Sequence, residues 1–200
     1  MPEQRPSYNV CVFCGSRAGT RPEYLQAARD LGAKLAGEGI GIVYGGSSHG
    51  LMGALADSCL EAGGYIEGVI PDPLFLKEAA HKALSKRFVV ESMHARKGLM
   101  AERANAFIAL PGGFGTLEEL FEITTWAQLG IHAKPIVLLN VAGFYDTLLT
   151  LFDSMLAEGF VSTAHRKFLL VRDDIETAIS DLRSFSPPTS IATWIDRDQT

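Results

Sequence analysis

Seven short apolar runs alternate with longer stretches of helical periodicity, and that alternation restricts the chain to a parallel sheet covered by helices. The runs are Tyr8 to Cys14, Gly41 to Tyr44, Tyr65 to Ile70, Arg87 to Val90, Ala106 to Leu110, Pro135 to Asn140 and Phe168 to Val171. Several are apolar on successive rather than alternate residues, as strands buried on both faces must be. Helix candidates fall between them, near 22–37, 50–62, 94–104, 117–129, 145–157 and 174–183. No linker and no repeat interrupts the pattern. The expectation is an α/β fold, a single doubly wound Rossmann-like domain over residues 1–185. It should hold about seven mostly parallel strands with helices on both faces. From Phe185 the pattern stops and Ser186-Pro187-Pro188-Thr189-Ser190 is a breaker cluster. Residues 186–200 therefore read as a tail, either disordered or docking Ile191 and Trp194 on the body or on a partner.

Composition narrows the function classes. Hydrophobic residues make up 47% and charged residues 20%, values of a packed globule. A formal charge of −5, from 18 basic and 23 acidic side chains, argues against broad nucleic-acid binding but permits one local basic pocket. No apolar run nears the ~18 residues of a membrane span, and Met1 to Ser7 is polar where a signal peptide would be apolar. The expected setting is cytoplasmic, without membrane or nucleic-acid partners. Cys11 and Cys14 form a C-x-x-C, a spacing open to a redox pair or half a metal site. No second C-x-x-C or histidine cluster completes such a site, so small buried hydrophobes at a strand end is the simpler reading. Neither a metal nor a cofactor is expected.

In doubly wound folds ligands bind beyond the carboxyl ends of the strands. Three turns there are rich in glycine or small polar residues: Gly15 to Gly19, Gly45 to Gly50, and Pro111 to Thr116. Glycines let backbone approach a ligand, and free N–H groups at a helix start favour an anion. Three such turns on one sheet edge point to a phosphorylated ligand. Neither G-x-G-x-x-G nor G-x-x-x-x-G-K-[ST] occurs, which disfavours a dinucleotide dehydrogenase and a P-loop NTPase.

Two segments hold the candidate chemistry. Pro111 to Thr116 leads into a helix expected near Leu117, where Thr116 and Glu119 have the spacing of a capping box without chemistry. Glu118 and Glu122 share a helix face and, lacking an intervening cation, read most simply as solvated surface. Glu119 points toward the mouth of the turn. In Glu91-Ser92-Met93-His94-Ala95-Arg96-Lys97, a cap at Ser92 puts Arg96 and Lys97 in the first helical turns, where cations oppose the dipole. A bound anion would remove that penalty; a snorkelling surface pair is the plain alternative.

Met93-His94-Ala95-Arg96-Lys97 followed by Pro111-Gly112-Gly113-Phe114-Gly115-Thr116-Leu117-Glu118-Glu119 resembles the M-H-x-R-K and P-G-G-x-G-T-x-x-E signature of the LONELY GUY (LOG) family. The likeness runs from Val12-Phe13-Cys14-Gly15-Ser16 through Tyr44-Gly45-Gly46 to Thr125 to His132, Lys134-Pro135 and Gly143 to Asp146. Asp72 to Val90 is less typical of plant members and closer to a bacterial branch. The family comprises cytokinin riboside 5′-monophosphate phosphoribohydrolases, long labelled lysine decarboxylases. The resemblance implies hydrolysis of a nucleoside 5′-monophosphate to an adenine-type base and ribose 5-phosphate. It implies Arg96 and Glu119 as the catalytic pair, with Lys97, Gly113, Gly115, Thr116, Thr125 and Glu78 at nucleotide-contact positions. Ser16, Gly45, Gly46 and Gly112 are further candidates for substrate contact. It also implies a homodimer with sites near the subunit interface.

The chemistry agrees with those residue types. Glycosidic cleavage builds oxocarbenium-like charge on the ribose, which a nearby carboxylate stabilises. Arg96 is suited to forked contact with phosphate or ribose oxygens, or to holding Glu119 ionised. No donor to the departing base is identifiable. Two other classes compete. Decarboxylation would need pyridoxal phosphate on a lysine, and Lys97 and Lys134 lack that context. The other is a non-catalytic carrier of a phosphorylated ligand such as molybdenum cofactor, over which the intact Arg96 and Glu119 favour an enzyme. His49, Met52, Met93, Phe114 and Trp126 are candidates for a base pocket or, equally, for the core.

Overall fold

The computed structural model describes residues 4–72 and 80–187. Seven strands form one sheet: β1 (Asn9–Phe13), β2 (Gly41–Tyr44), β3 (Ile66–Pro71), β4 (Lys86–Val90), β5 (Ala106–Ala109), β6 (Ile136–Leu139) and β7 (Leu169–Arg172). Their order is β4-β3-β2-β1-β5-β6-β7, and every neighbouring pair is parallel. The α/β Rossmann-like architecture is thus present, each run forming its strand with ends moved by a residue or two. An isolated antiparallel bridge joins Ser47 to Ala80.

The continuous apolar runs follow from burial on both faces. In β1, Val10 and Val12 enter one core with Cys14 beyond them, while Cys11 and Phe13 enter the opposite one. This alternation is the two-residue period of a pleated strand. It also settles the C-x-x-C: the two sulfurs lie in different cores, and all three cysteines are free and buried. Burial pushes the Cys11 and Cys14 thiols upward, which keeps them protonated and inert.

Helices α1 (Pro22–Gly37), α2 (Gly50–Glu61) and α7 (Ile175–Ser184) cover the face of Val10 and Val12. Helices α3 (Met93–Arg103), α4 (Phe114–Gln128) and α5 (Asp146–Ala157) cover the other. A short 3-10 turn (Val141–Gly143) and a one-turn helix, α6 (Thr163–Arg166), complete the described elements; periodicity gave no sign of either. At the sheet edge, β4 alternates between exposed and half-buried residues. The breaker cluster starts where α7 has ended, but residues 188–200 of the expected tail lie outside the described residues. No helix among the described residues is long and apolar enough to cross a membrane.

Candidate active site

The chain winds from β1 outward to β4, then returns to the other side of β1 at β5, so the topological switch lies between β1 and β5. Beyond their carboxyl ends opens a cavity of about 960 Å³, a volume ordinary for a small-molecule site. All three glycine-rich turns line it: Gly15 to Gly19 after β1, Gly45, Ser47 and His49 after β2, and Pro111 to Thr116 after β5. Backbone hydrogen bonds stitch them together. Gly15 N–H donates to the Pro111 carbonyl at 3.0 Å, and Leu51 N–H donates to the Gly15 carbonyl at 3.0 Å. A Cβ on Gly112 would sit 2.1 Å from Thr116 Oγ1, so the third turn closes this tightly only around glycine.

Helix α4 begins at Phe114 with Gly113 as its N-cap, three residues before the start expected from its apolar stripe. Thr116 consequently lies inside the first turn, and the capping box it might have formed with Glu119 does not exist. The first N–H with a carbonyl behind it is Leu117, bonded to Gly113 at 3.1 Å. Those of Phe114, Gly115 and Thr116 have no such partner by the geometry of a first turn, and all three residues line the cavity. They are donors suited to an anion.

Across the cavity, Ser92 caps α3 through a bond from Ala95 N–H to its Oγ at 3.1 Å. One turn on, Arg96 projects inward. Its Nη1 donates to Glu119 Oε1 at 2.6 Å and its Nε to the Val69 carbonyl at 3.0 Å. Both charged residues are only 8% exposed. A Cβ on Gly45 would lie 2.0 Å from Arg96 Nη2, so Gly45 supplies the space in which the guanidinium rests. Burial pushes the Glu119 carboxyl above its usual range, with the Arg96 charge and hydrogen bond opposing.

The adjacent cation behaves differently from expectation. Lys97 donates to Glu118 and, at 2.9 Å, to Glu122. Glu118 and Glu122 are therefore not lone solvated carboxylates, and Arg96 and Lys97 are not a snorkelling surface pair. The cation that seemed to be missing between the two acids comes from a neighbouring helix.

Residues 52–182 match the family model described as possible lysine decarboxylase. A rice protein (Oryza sativa subsp. japonica), named probable cytokinin riboside 5′-monophosphate phosphoribohydrolase LOG4, is 48% identical over 88% of this chain and 77% of its own. An Arabidopsis thaliana protein, cytokinin riboside 5′-monophosphate phosphoribohydrolase LOG7, is 44% identical over 95% of this chain and 89% of its own. The chain belongs to the LOG family. Among solved structures, the molybdenum cofactor carrier protein of Chlamydomonas reinhardtii superposes with a TM-score of 0.69 at 26% identity, covering 90% of this chain and 98% of that one. The molybdenum cofactor binding protein of Rippkaea orientalis gives the same TM-score at 22% identity, over 90% of this chain and 97% of its own, a likeness of fold.

Of the candidate site residues, Ser16, Gly45, Arg96, Gly112, Gly113, Gly115, Thr116 and Glu119 line the same cavity. Gly46 lies behind it, its carbonyl accepting the His81 N–H at 2.9 Å. Lys97 is outside the lining, and so is Thr125, exposed nine residues along α4 from Thr116. Glu78 falls outside the described residues. His49, Met52, Met93 and Phe114 do reach the cavity, whereas Trp126 packs against the core. Sequence reasoning missed Tyr24, Ile70 and Phe144 in the lining. Phe144 meets Tyr24 and Tyr145 edge to face, an arrangement no local pattern announces. Neither Lys97 nor Lys134 lines the cavity where a Schiff-base lysine would be needed.

Proposed function

We propose that this protein hydrolyses the N-glycosidic bond of nucleoside 5′-monophosphates, AMP or a cytokinin riboside 5′-monophosphate, to an adenine-type base and ribose 5-phosphate. The observation that carries the reading is a buried carboxylate–guanidinium pair lining the same cavity as the unbonded first turn of α4. The close LOG relatives bear the name of this activity.

In this mechanism the phosphate rests on the N–H groups of Phe114, Gly115 and Thr116. Glu119, one turn further along α4, lies against the ribose, where it stabilises positive charge developing at C1′ and orients the attacking water. Arg96 keeps Glu119 ionised against the cost of burial. Water adds its hydroxyl to C1′, the bonding pair leaves with the base nitrogen, and the water proton ends on the base. Cys14, Met52 and Ile70 offer the base an apolar wall. Phosphate binding far from the reacting bond supplies energy for the chemistry, so nucleosides without phosphate are poor substrates.

A homodimer suits the exposed apolar side chains on the α4 and α5 side. Phe114 is 94% exposed, and Phe121, Leu151 and Phe160 are also uncovered. Three free buried thiols suit a reducing, cytoplasmic setting.

Chromatography of the purified protein with AMP and with isopentenyladenosine monophosphate tests the reading. Free base and ribose 5-phosphate are expected. Glu119→Gln and Arg96→Ala should each abolish release while circular dichroism stays unchanged. Both nucleotides intact after long incubation would overturn the proposal, and equal rates on adenosine and AMP would overturn the phosphate placement. Tight binding of a pterin phosphate without nucleotide turnover would favour a carrier instead.

A further inference from the structure

Beside the Arg96–Glu119 pair stands a second one, displaced by one residue on the same two helices. Lys97 follows Arg96 on α3, and Glu118 precedes Glu119 on α4. Lys97 is 7% exposed and lies outside the cavity lining, while Glu118 contributes to that lining. Its ammonium bonds both Glu118 and Glu122, one turn apart on α4, and so cancels a like-charge repulsion along that helix. Burial pushes the Lys97 ammonium down, but its bonds to the two carboxylates more than reverse this and hold it cationic. A lysine spent in this way has little left for a phosphate.

We propose that Lys97 is a positioning residue: by binding Glu118 and Glu122 it docks the first turns of α4 against α3 and leaves Glu119 ionised, with Arg96 as its counter-ion. The inference rests on the role given to Glu119 above. The charged and titratable groups that act on that carboxylate are Arg96 and Lys97 from α3, Glu118 of its own helix, and the thiols of Cys11 in β1 and Cys14 just beyond it. Glu122, on the same helix, acts through its bond to Lys97. The thiols are protonated near neutral pH, so the balance is three carboxylates against two cations. Without Lys97 the two neighbouring carboxylates would be unshielded, and a proton on Glu119 would be favoured.

The test reads Glu119 directly. Protein labelled with glutamate carrying 13C at the carboxyl carbon is titrated by NMR, the Glu119 signal being the one lost in Glu119→Gln. No substrate is involved, so the result stands even if the wild type cleaves no nucleotide. Lys97→Met should raise the Glu119 midpoint by about one pH unit. Adding Glu118→Gln should bring it back, and Lys97→Arg should hold it at the wild-type value. With AMP, Lys97→Met should lower kcat while KM stays within about threefold. An unmoved midpoint overturns the proposal. So does a raised KM at intact kcat, which would make Lys97 a substrate ligand. Should Lys97→Met fail to fold, Glu118→Gln alone decides: its Glu119 midpoint should fall, and no change overturns the proposal.

Discussion

Gly45→Ala adds one methyl group and should disable the site without unfolding the protein. Gly45 has no left-handed backbone, so alanine meets no conformational penalty there. Its Cβ would lie 2.0 Å from Arg96 Nη2, whereas ordinary contact begins near 3.4 Å. The guanidinium must therefore move by about 1.4 Å, the difference between those two distances. It cannot do so and keep both the 3.0 Å bond to the Val69 carbonyl and the 2.6 Å bond to Glu119. Misplacing a catalytic group by about 1 Å costs on the order of 100-fold, or roughly 2.7 kcal/mol of transition-state stabilisation. Overpacking costs the fold about 1–3 kcal/mol, which a 200-residue chain survives. Initial rates of base release give the first quantity and calorimetry the second. The decisive comparison is a double-mutant cycle read by calorimetry: in an Arg96→Ala background, Gly45→Ala should cost the fold nothing further. A Gly45→Ala enzyme within about threefold of wild type would refute the reasoning, as would losses that simply add.

Two further outcomes are expected. Tyr145, 2% exposed, donates its hydroxyl to the Leu110 carbonyl at 2.6 Å, just before the third glycine-rich turn. Tyr145→Phe leaves that carbonyl buried and unpaired, at a cost of about 1–3 kcal/mol. Thermal melting should fall by about 2–12 °C, and an unchanged Tm would contradict this account. Activity should also be lost as pH falls through the Glu119 value, because only its carboxylate form serves the ribose. Burial raises that value, so the acid limb of kcat/KM should lie above the range of an exposed glutamate. Full activity down to about pH 4 would contradict the assignment.

The sheet was legible because burial on both faces writes itself as uninterrupted β-branched runs, and the helices because each has one apolar stripe. The three turns were legible as glycine clusters at strand ends. What sequence spacing misjudged is contact between elements. Thr116 and Glu119 match a capping box, yet the helix starts earlier than its apolar stripe, because Phe114 and Gly115 carry no core contact to mark it. Glu118 and Glu122 match a solvated pair because their cation comes from position 97, a separation that helical periodicity does not address. Tyr24 and Phe144 meet only after α1 and the turn beyond β6 have both packed on the sheet. Gly45 lines the cavity, but no local pattern announces that a Cβ there would meet the guanidinium of Arg96.

The Chlamydomonas reinhardtii carrier protein shares this scaffold at low identity, so the scaffold alone does not separate holding a ligand from cleaving one. The ion pairs do. Burying a carboxylate and a guanidinium together contributes little net stability, since desolvation offsets most of their attraction. Hydrophobic side chains of similar volume would serve the fold as well. A phosphate placed as proposed is accommodated by backbone N–H groups, which need no charge opposite them. Under the mechanism proposed above the pair has another use: Glu119 stabilises the positive charge that develops on the ribose of a bound monophosphate, and Arg96 keeps that carboxylate ionised.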